Sequence, residues 1–294
     1  MKAVDFDYLQ PRSVPEICDL LAAGKGEARI LAGGQSLVPM LATRLARPDV
    51  VIDINRVDEL HGIDTAADAV AIRACTRQAR ALDDPTVRTR LPLLAKALSF
   101  VGHRQTRNRG TIGGSLANAD PSAEIGLAAL AMGAEIEARS TAGDRTIPVA
   151  EFFVAPMVTA LAADECLTAI RFRRWNEQGS LGTGFQETSI RRSDFALALA
   201  AVQLTLDRGG TCCRIAVSLG ASGTKPQRLT EIEQALMGTK LGKAELTEAE
   251  RLAHDGIDAV SDIHASAAHR RRIAGVLAAR AIAEARDDAQ SRRS

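Results

Sequence analysis

Residues 29–37 read Arg-Ile-Leu-Ala-Gly-Gly-Gln-Ser-Leu, and residues 111–116 read Thr-Ile-Gly-Gly-Ser-Leu. In the first stretch, Arg29 to Ala32 reads as a short buried strand that stops at Gly33-Gly34, and Leu37 to Leu45 reads as a helix. Glycines at a strand-to-helix turn let backbone N–H groups approach the oxygen atoms of a ligand, and a helix start favours negative charge. Gln35, Ser36, Thr111 and Ser115 add side-chain hydrogen-bonding groups. Two such loops, about eighty residues apart, could grip the two ends of a pyrophosphate. Either Gly-Gly taken alone reads more simply as a turn. The pattern Gly-x-Gly-x-x-Gly is absent from the first turn, and no Gly-Lys-Ser or Gly-Lys-Thr follows either pair. Chemistry alone therefore points to a phosphate-bearing cofactor held in neither the Rossmann nor the P-loop manner.

Working outward, Ser13-Val-Pro-Glu16 reads as a capped helix start with Ile17, Leu20 and Leu21 on its apolar face, ended by Gly24 and Gly26. Val50 to Ile54, Ala69 to Arg73, Ala134 to Ala138, Cys166 to Phe172 and Gly184 to Ile190 read as strands, and Pro92 to Val101 and Ala123 to Met132 as helices. Gly102 to Asp120 reads as a long polar stretch. Further on, Leu197 to Leu206 and Arg214 to Leu219 read as strands, Lys243 to Ala259 and Ser266 to Ala285 as helices. Trp175 to Gly182 shows no period and is placed as a boundary. It divides a first domain, 1–176 (parts at about 1–55 and 56–176), from a second, 177–286, with a frayed tail at 287–294.

The chain has 294 residues and a net charge of +1, with 46% hydrophobic, 25% charged and 3% aromatic residues. That balance fits a globular protein and suggests neither a nucleic-acid nor a membrane partner. Cys18, Cys75, Cys166, Cys212 and Cys213 form no Cys-x-x-Cys pair, which argues against an iron–sulfur or zinc site here and for buried reduced thiols. No stretch reads as a signal peptide or a membrane span, so a cytoplasmic location is expected.

At the two glycine loops the sequence resembles the FAD-binding subunit of the molybdenum hydroxylases. That family comprises the medium subunit of aerobic carbon monoxide dehydrogenase, its relatives acting on N-heterocycles and the flavin domain of xanthine dehydrogenase. The matching text is Ala32-Gly-Gly-Gln-Ser36, then Val101-Gly-His-Arg-Gln-Thr-Arg-Asn-Arg-Gly-Thr-Ile-Gly-Gly-Ser-Leu-Ala-Asn-Ala-Asp-Pro121. Asp49 to Ile54, Arg191 to Ala196 and His269-Arg-Arg271 match in the same order, so the resemblance runs nearly end to end.

The resemblance implies an α+β fold: a two-part FAD-binding domain of the vanillyl-alcohol-oxidase (PCMH) type, then a smaller α+β domain. It implies non-covalent FAD, so His103 is not expected to attach the flavin. Ala32, Gly33, Gly34, Gln35, Ser36 and Leu37 would hold the pyrophosphate, and Thr111, Ile112, Gly113, Gly114 and Ser115 would hold it from the other side, with Gly102 and Ala117 nearby. Glu124 would accept a hydrogen bond from a cofactor hydroxyl, and Leu167 would pack on the adenine end. Two positions depart from the family. Glu187 and Phe195 stand where relatives carry Lys and Tyr near the flavin ring. Either Glu187 points away or this flavin has a different potential; Phe195 either faces the ring or is a core aromatic. Arg104, Arg107 and Arg109 could neutralise phosphates, face a partner subunit or simply be solvated.

No side chain here is then expected to be catalytic toward an organic substrate. The implied role is oxidoreductase electron transfer. A small subunit with [2Fe–2S] clusters and a large molybdopterin subunit would complete a heterotrimer, doubled to a heterohexamer, and this chain's FAD would pass electrons to an external acceptor. The competing readings are a free-standing flavin oxidase or reductase, for which a second domain of roughly a hundred residues is small, and a scaffold subunit without flavin.

Overall fold

The computed structural model describes residues 2–175 and 179–292, so the boundary placed at 176–177 lies outside the described residues. The helix Val14–Ala23 starts as its sequence suggests. Ser13 accepts from the Glu16 N–H at 3.3 Å, and Glu16 reaches back to the Arg12 N–H at 2.7 Å. Val14, Ile17, Cys18 and Leu21 form its buried stripe. Around it, Asp7–Leu9, Val50–Asp53 and Ala28–Leu31 lie side by side as a parallel sheet. Asp7–Leu9 carries no apolar alternation and was not expected as a strand. The helix after the first glycine pair spans only Leu37–Ala42, because Arg44 turns left-handed at φ 59°.

A five-stranded antiparallel sheet follows, in the order Ile63–Thr65, Ala69–Arg73, Cys166–Arg173, Glu135–Ser140, Gly143–Pro148. The polar stretch from Gly102 to Asp120 is not a loop. It forms the short helices Arg104–Arg109 and Ile112–Asn118. The first buries no residue, so hydrophobic spacing could not announce it. The second is started by Thr111, whose Oγ1 accepts from the Gly114 N–H at 3.1 Å.

The C-terminal part is a four-stranded antiparallel sheet, Ser180–Ser189, Ala196–Leu206, Cys212–Gly220 and Gln227–Arg228, backed by the helices Thr230–Leu236, Lys243–Gly256 and Ala267–Ser291. The strand Ala196–Leu206 has protein on both faces. Leu199 and Ala201 join the N-terminal core around the helix Glu124–Met132, while Ala198, Ala200, Val202 and Leu204 join the C-terminal core. Successive side chains of a strand point to opposite faces, so one strand serves two cores.

The last helix runs further than its sequence suggested. Residues 287–291, expected as a frayed tail, are helical, because Asp288 accepts from the N–H and the hydroxyl of Thr183 at 2.9 and 3.1 Å. Lys96 clamps this helix to the first domain, donating to Glu284 at 2.5 Å and to the Thr183 carbonyl at 2.6 Å. Cys213 also departs from expectation, being exposed where a buried thiol was expected, while the other cysteines are buried.

Gly182 and Gly184 lie on one face of their strand, and a Cβ on either would strike the helix backbone at Ala285 O or Ala281 O. The bare strand lets the helix lie directly on it. Gly184→Ala is expected to lower the unfolding free energy by about 3 kcal/mol through overpacking, read as a fall in thermal midpoint of several degrees.

Candidate functional site

Gly33 lies against the backbone ahead of the second glycine pair. A Cβ there would sit 2.5 Å from Arg109 O and 2.8 Å from the Gly110 Cα. Gly113 is pressed as closely on Ala74, its would-be Cβ 2.6 Å from the Ala74 Cβ. Gly34 adopts φ +72°, a conformation that suits glycine. These approaches bring the two loops to opposite sides of one cleft of about 490 Å³, within the usual range for small-molecule sites.

Most residues singled out from the sequence meet at this cleft. Its wall includes Ala32, Gly33, Gly34, Gln35, Ser36 and Leu37 from the first loop, and Thr111, Gly113, Gly114, Ser115 and Ala117 from the second. Gly102, Glu124, Leu167 and Phe195 complete the set. Ile112 is not part of the wall; it is fully buried in the core and its N–H donates to Thr76 O at 3.0 Å. Glu187 is not part of the wall either. Phe195 is 78% exposed, so the core-aromatic reading fails and its ring stands at the cleft mouth. Ser193 and Asp194 stand there beside it; they belong to the same Arg191–Ala196 motif and were legible from it. Gln78 and Glu165 also reach the wall, through tertiary contacts that no local pattern signals.

The two loops differ in what they offer. Among the described residues, no backbone or side-chain group engages the N–H groups of Gly33, Gly34, Gln35 or Ser36. The second loop has already used its own from Ile112 to Ser115. Ile112 N donates to Thr76 O, Gly113 N to Ala74 O, Gly114 N to Thr111 Oγ1 and Ser115 N to Thr111 O. It offers the Ser115 hydroxyl instead. Arg104, Arg107 and Arg109 do not line the cleft; Arg107 is tied to the carbonyls of Val101 and Gly102 at 2.7 and 2.8 Å.

Glu124 opens the helix Glu124–Met132 at the cleft wall. Its side chain is half-buried at the cleft wall. Burial, opposed by its own N–H and reinforced by the charges of Glu187 and Asp120, pushes it up to about 8. Arg107 pulls weakly the other way. Burial pushes Glu187, on the strand Ser180–Ser189, up to about 7, and its Oε2 is buried without a hydrogen-bond partner. Glu165, also at the wall, is held below the usual carboxylate range by its hydrogen bond from Arg145.

Residues 4–175 match the family described as the FAD binding domain in molybdopterin dehydrogenase, and residues 183–285 match the CO dehydrogenase flavoprotein C-terminal domain. The chain is 38% identical over 285 residues to the 6-hydroxypseudooxynicotine dehydrogenase complex subunit alpha of Paenarthrobacter nicotinovorans, covering 97% of this chain and 96% of that one. It is 38% identical over 286 residues to the nicotine 6-hydroxylase medium subunit of the same organism, covering 97% and 99%. Its fold is similar to a chain of the carbon monoxide dehydrogenase from Hydrogenophaga pseudoflava which lacks the Mo-pyranopterin moiety of the molybdenum cofactor. There the TM-score is 0.94 at 32% identity, over 98% of this chain and 100% of that one.

The two raised carboxyls link stability to pH. Between the ordinary carboxylate range and about 7 to 8, the folded, ligand-free chain keeps protons that the unfolded chain has released. Stability is therefore greatest below that window and falls as pH rises through it, by at most about 1.4 kcal/mol per pH unit for Glu124 and by less for the more exposed Glu187. Thermal melts of the ligand-free protein should show the midpoint dropping from pH 5 to pH 8, and Glu124→Gln should flatten that slope.

Proposed function

Since this chain belongs to the family of FAD-binding medium subunits of the molybdenum hydroxylases, we propose that it holds one FAD non-covalently in the cleft between its glycine loops and relays electrons through it. The observation that carries this reading is the row of unengaged N–H groups on the cleft-lining residues Gly33 to Ser36, in a site where neighbouring backbone and side chain leave no room for a Cβ at Gly33 or Gly113. These residues fit a pyrophosphate: fixed N–H dipoles accept anionic oxygens without needing a cation. Thr111 and Ser115 would hold the same group from the other side, Ser115 by its hydroxyl. Gly102 and Ala117 would border the bound group, and Leu37 would close the first loop over it. Glu124 would meet a hydroxyl of the cofactor, and Leu167 would pack against the adenine. Phe195 would cover the ring end, with Glu187 beside it.

When bound, FAD supplies reversible redox chemistry that accepts electrons singly or in pairs. The chain's own part is to bind, orient and shield. Its low-dielectric wall keeps Glu124 neutral, so a hydrogen bond there adds no negative charge. The electrons would come from [2Fe–2S] clusters on a small subunit, fed by a large molybdopterin subunit, and leave to an external acceptor. The assembly would be a heterotrimer, doubled, in the cytoplasm. Among the described residues no helix is long and apolar enough to cross a membrane.

The test is to purify the full chain with its partner subunits and by itself. The chain should be yellow, and acid precipitation should release its flavin into the supernatant, as a non-covalent cofactor requires. Reduction of the flavin by the complex's substrate should need the partner subunits. Turnover of simple substrates by this chain alone would replace the subunit reading with a free-standing oxidase. A colourless chain that takes up no added FAD would leave only a scaffold.

A further inference from the structure

A polar strut of side chains links the backbone beside the two glycine loops. Asn55 follows the strand Val50–Asp53, and its Nδ2 donates to the Ala32 carbonyl at 2.8 Å. Its Oδ1 accepts from Arg77 Nη2 at 2.6 Å. The same guanidinium donates through Nη1 to the carbonyl of Arg109. One continuous chain of hydrogen bonds thus runs from the residue before Gly33 to the residue before Gly110.

The strut is anchored at both ends. Asp53, buried at 8% exposure, accepts through Oδ1 from the Asn55 N–H at 3.0 Å and from Asn55 Nδ2 at 2.5 Å. Asp53 Oδ2 is in turn held by the Tyr8 hydroxyl and by Gln10 at 3.2 Å. Beyond Arg77, the Gln78 N–H donates to Gly110 O at 2.9 Å, and the Ile112 N–H donates to Thr76 O at 3.0 Å. Neither Asn55 nor Arg77 forms part of the cleft wall, so neither touches a ligand there. Both act on backbone carbonyls beside the glycines. Steric contact at Gly33 sets how close the loops can come. The strut sets how far apart they can drift.

We propose that Asn55 and Arg77 are positioning residues that hold the two glycine loops at the spacing a pyrophosphate requires. This rests on the reading that FAD lies in this cleft. Arg77 is suited to the task because its planar fork serves two acceptors at once, which a lysine ammonium on a flexible stem does less well.

The experiment uses the full-length chain stripped of flavin and titrated with FAD, followed by quenching of flavin fluorescence. It compares wild type with Asn55→Leu, Arg77→Met, the double variant and Arg77→Lys. Each of the first two should raise the Kd about tenfold, the scale of one charge-assisted hydrogen bond. The double variant should be no worse than the weaker single, because both residues belong to one strut. Arg77→Lys, which keeps the charge and can reach one acceptor, should fall between. The phosphorus resonances of bound FAD should shift in the variants, a signature that general loss of stability would not give. If Arg77→Met does not fold, the lysine variant and Asn55→Leu carry the test. Unchanged affinities, or losses that simply add in the double variant, overturn the strut while FAD binding by wild type stands. A wild-type chain that takes up no FAD overturns the cofactor reading and the strut with it.

Discussion

The site depends on one contact: the Gly33 backbone resting on the backbone of Arg109 and Gly110, with 2.5 Å between a would-be Cβ and the Arg109 carbonyl. Two loops from distant parts of the chain can meet this closely only if the meeting residue has no side chain. The same condition recurs at Gly113 against Ala74. Around these contacts the parallel sheet brings in the first loop from Ala28–Leu31, and the isolated bridge between Arg77 and Thr111 fixes the second beside the five-stranded sheet. Small residues at the crossing and rigid elements behind it produce the cleft.

The crossing has a chemical consequence. The first loop keeps a run of N–H groups for a ligand; the second spent those from Ile112 to Ser115 on starting the helix Ile112–Asn118 and stitching it to Ala74 and Thr76. The two glycine pairs look alike in sequence and do different work. The first presents fixed dipoles. The second is a structural brace that lends a hydroxyl. Among the described residues no lysine or arginine lines the cleft, so anionic oxygens there would be met by oriented N–H groups that need no rearrangement.

Much of this was legible in the sequence. The strand before Gly33, the two glycine pairs and the signature Arg191–Ala196 name much of the cleft wall directly, because each residue's role depends on its immediate neighbours. What was not legible depends on tertiary contact. Arg104–Arg109 forms a helix with no buried face, so periodicity was silent. Gly182 fell in the stretch without a period and Gly184 at the start of a strand, and neither position announced that its purpose is to admit a helix about a hundred residues away. Asn55 and Arg77 look like ordinary polar residues until Ala32 O and Arg109 O are seen beside them. Phe195 could not be assigned to core or surface, because an aromatic at a cleft mouth and one in a core share the same sequence text.

The helix Glu124–Met132 joins these themes. From Ile125 to Met132 every residue is buried, because the helix is packed by the first domain and by the strands Ala196–Leu206 and Cys212–Gly220 of the second. Its first residue must therefore emerge at the cleft, and that residue is a glutamate. A helix start favours a carboxylate, but burial and the neighbouring Glu187 and Asp120 favour the acid, and burial dominates. The same physics governs Glu187, which stands where the family resemblance leads one to expect a lysine. Burial pushes its carboxyl up to about 7, so it shares with Glu124 a bias toward the acid.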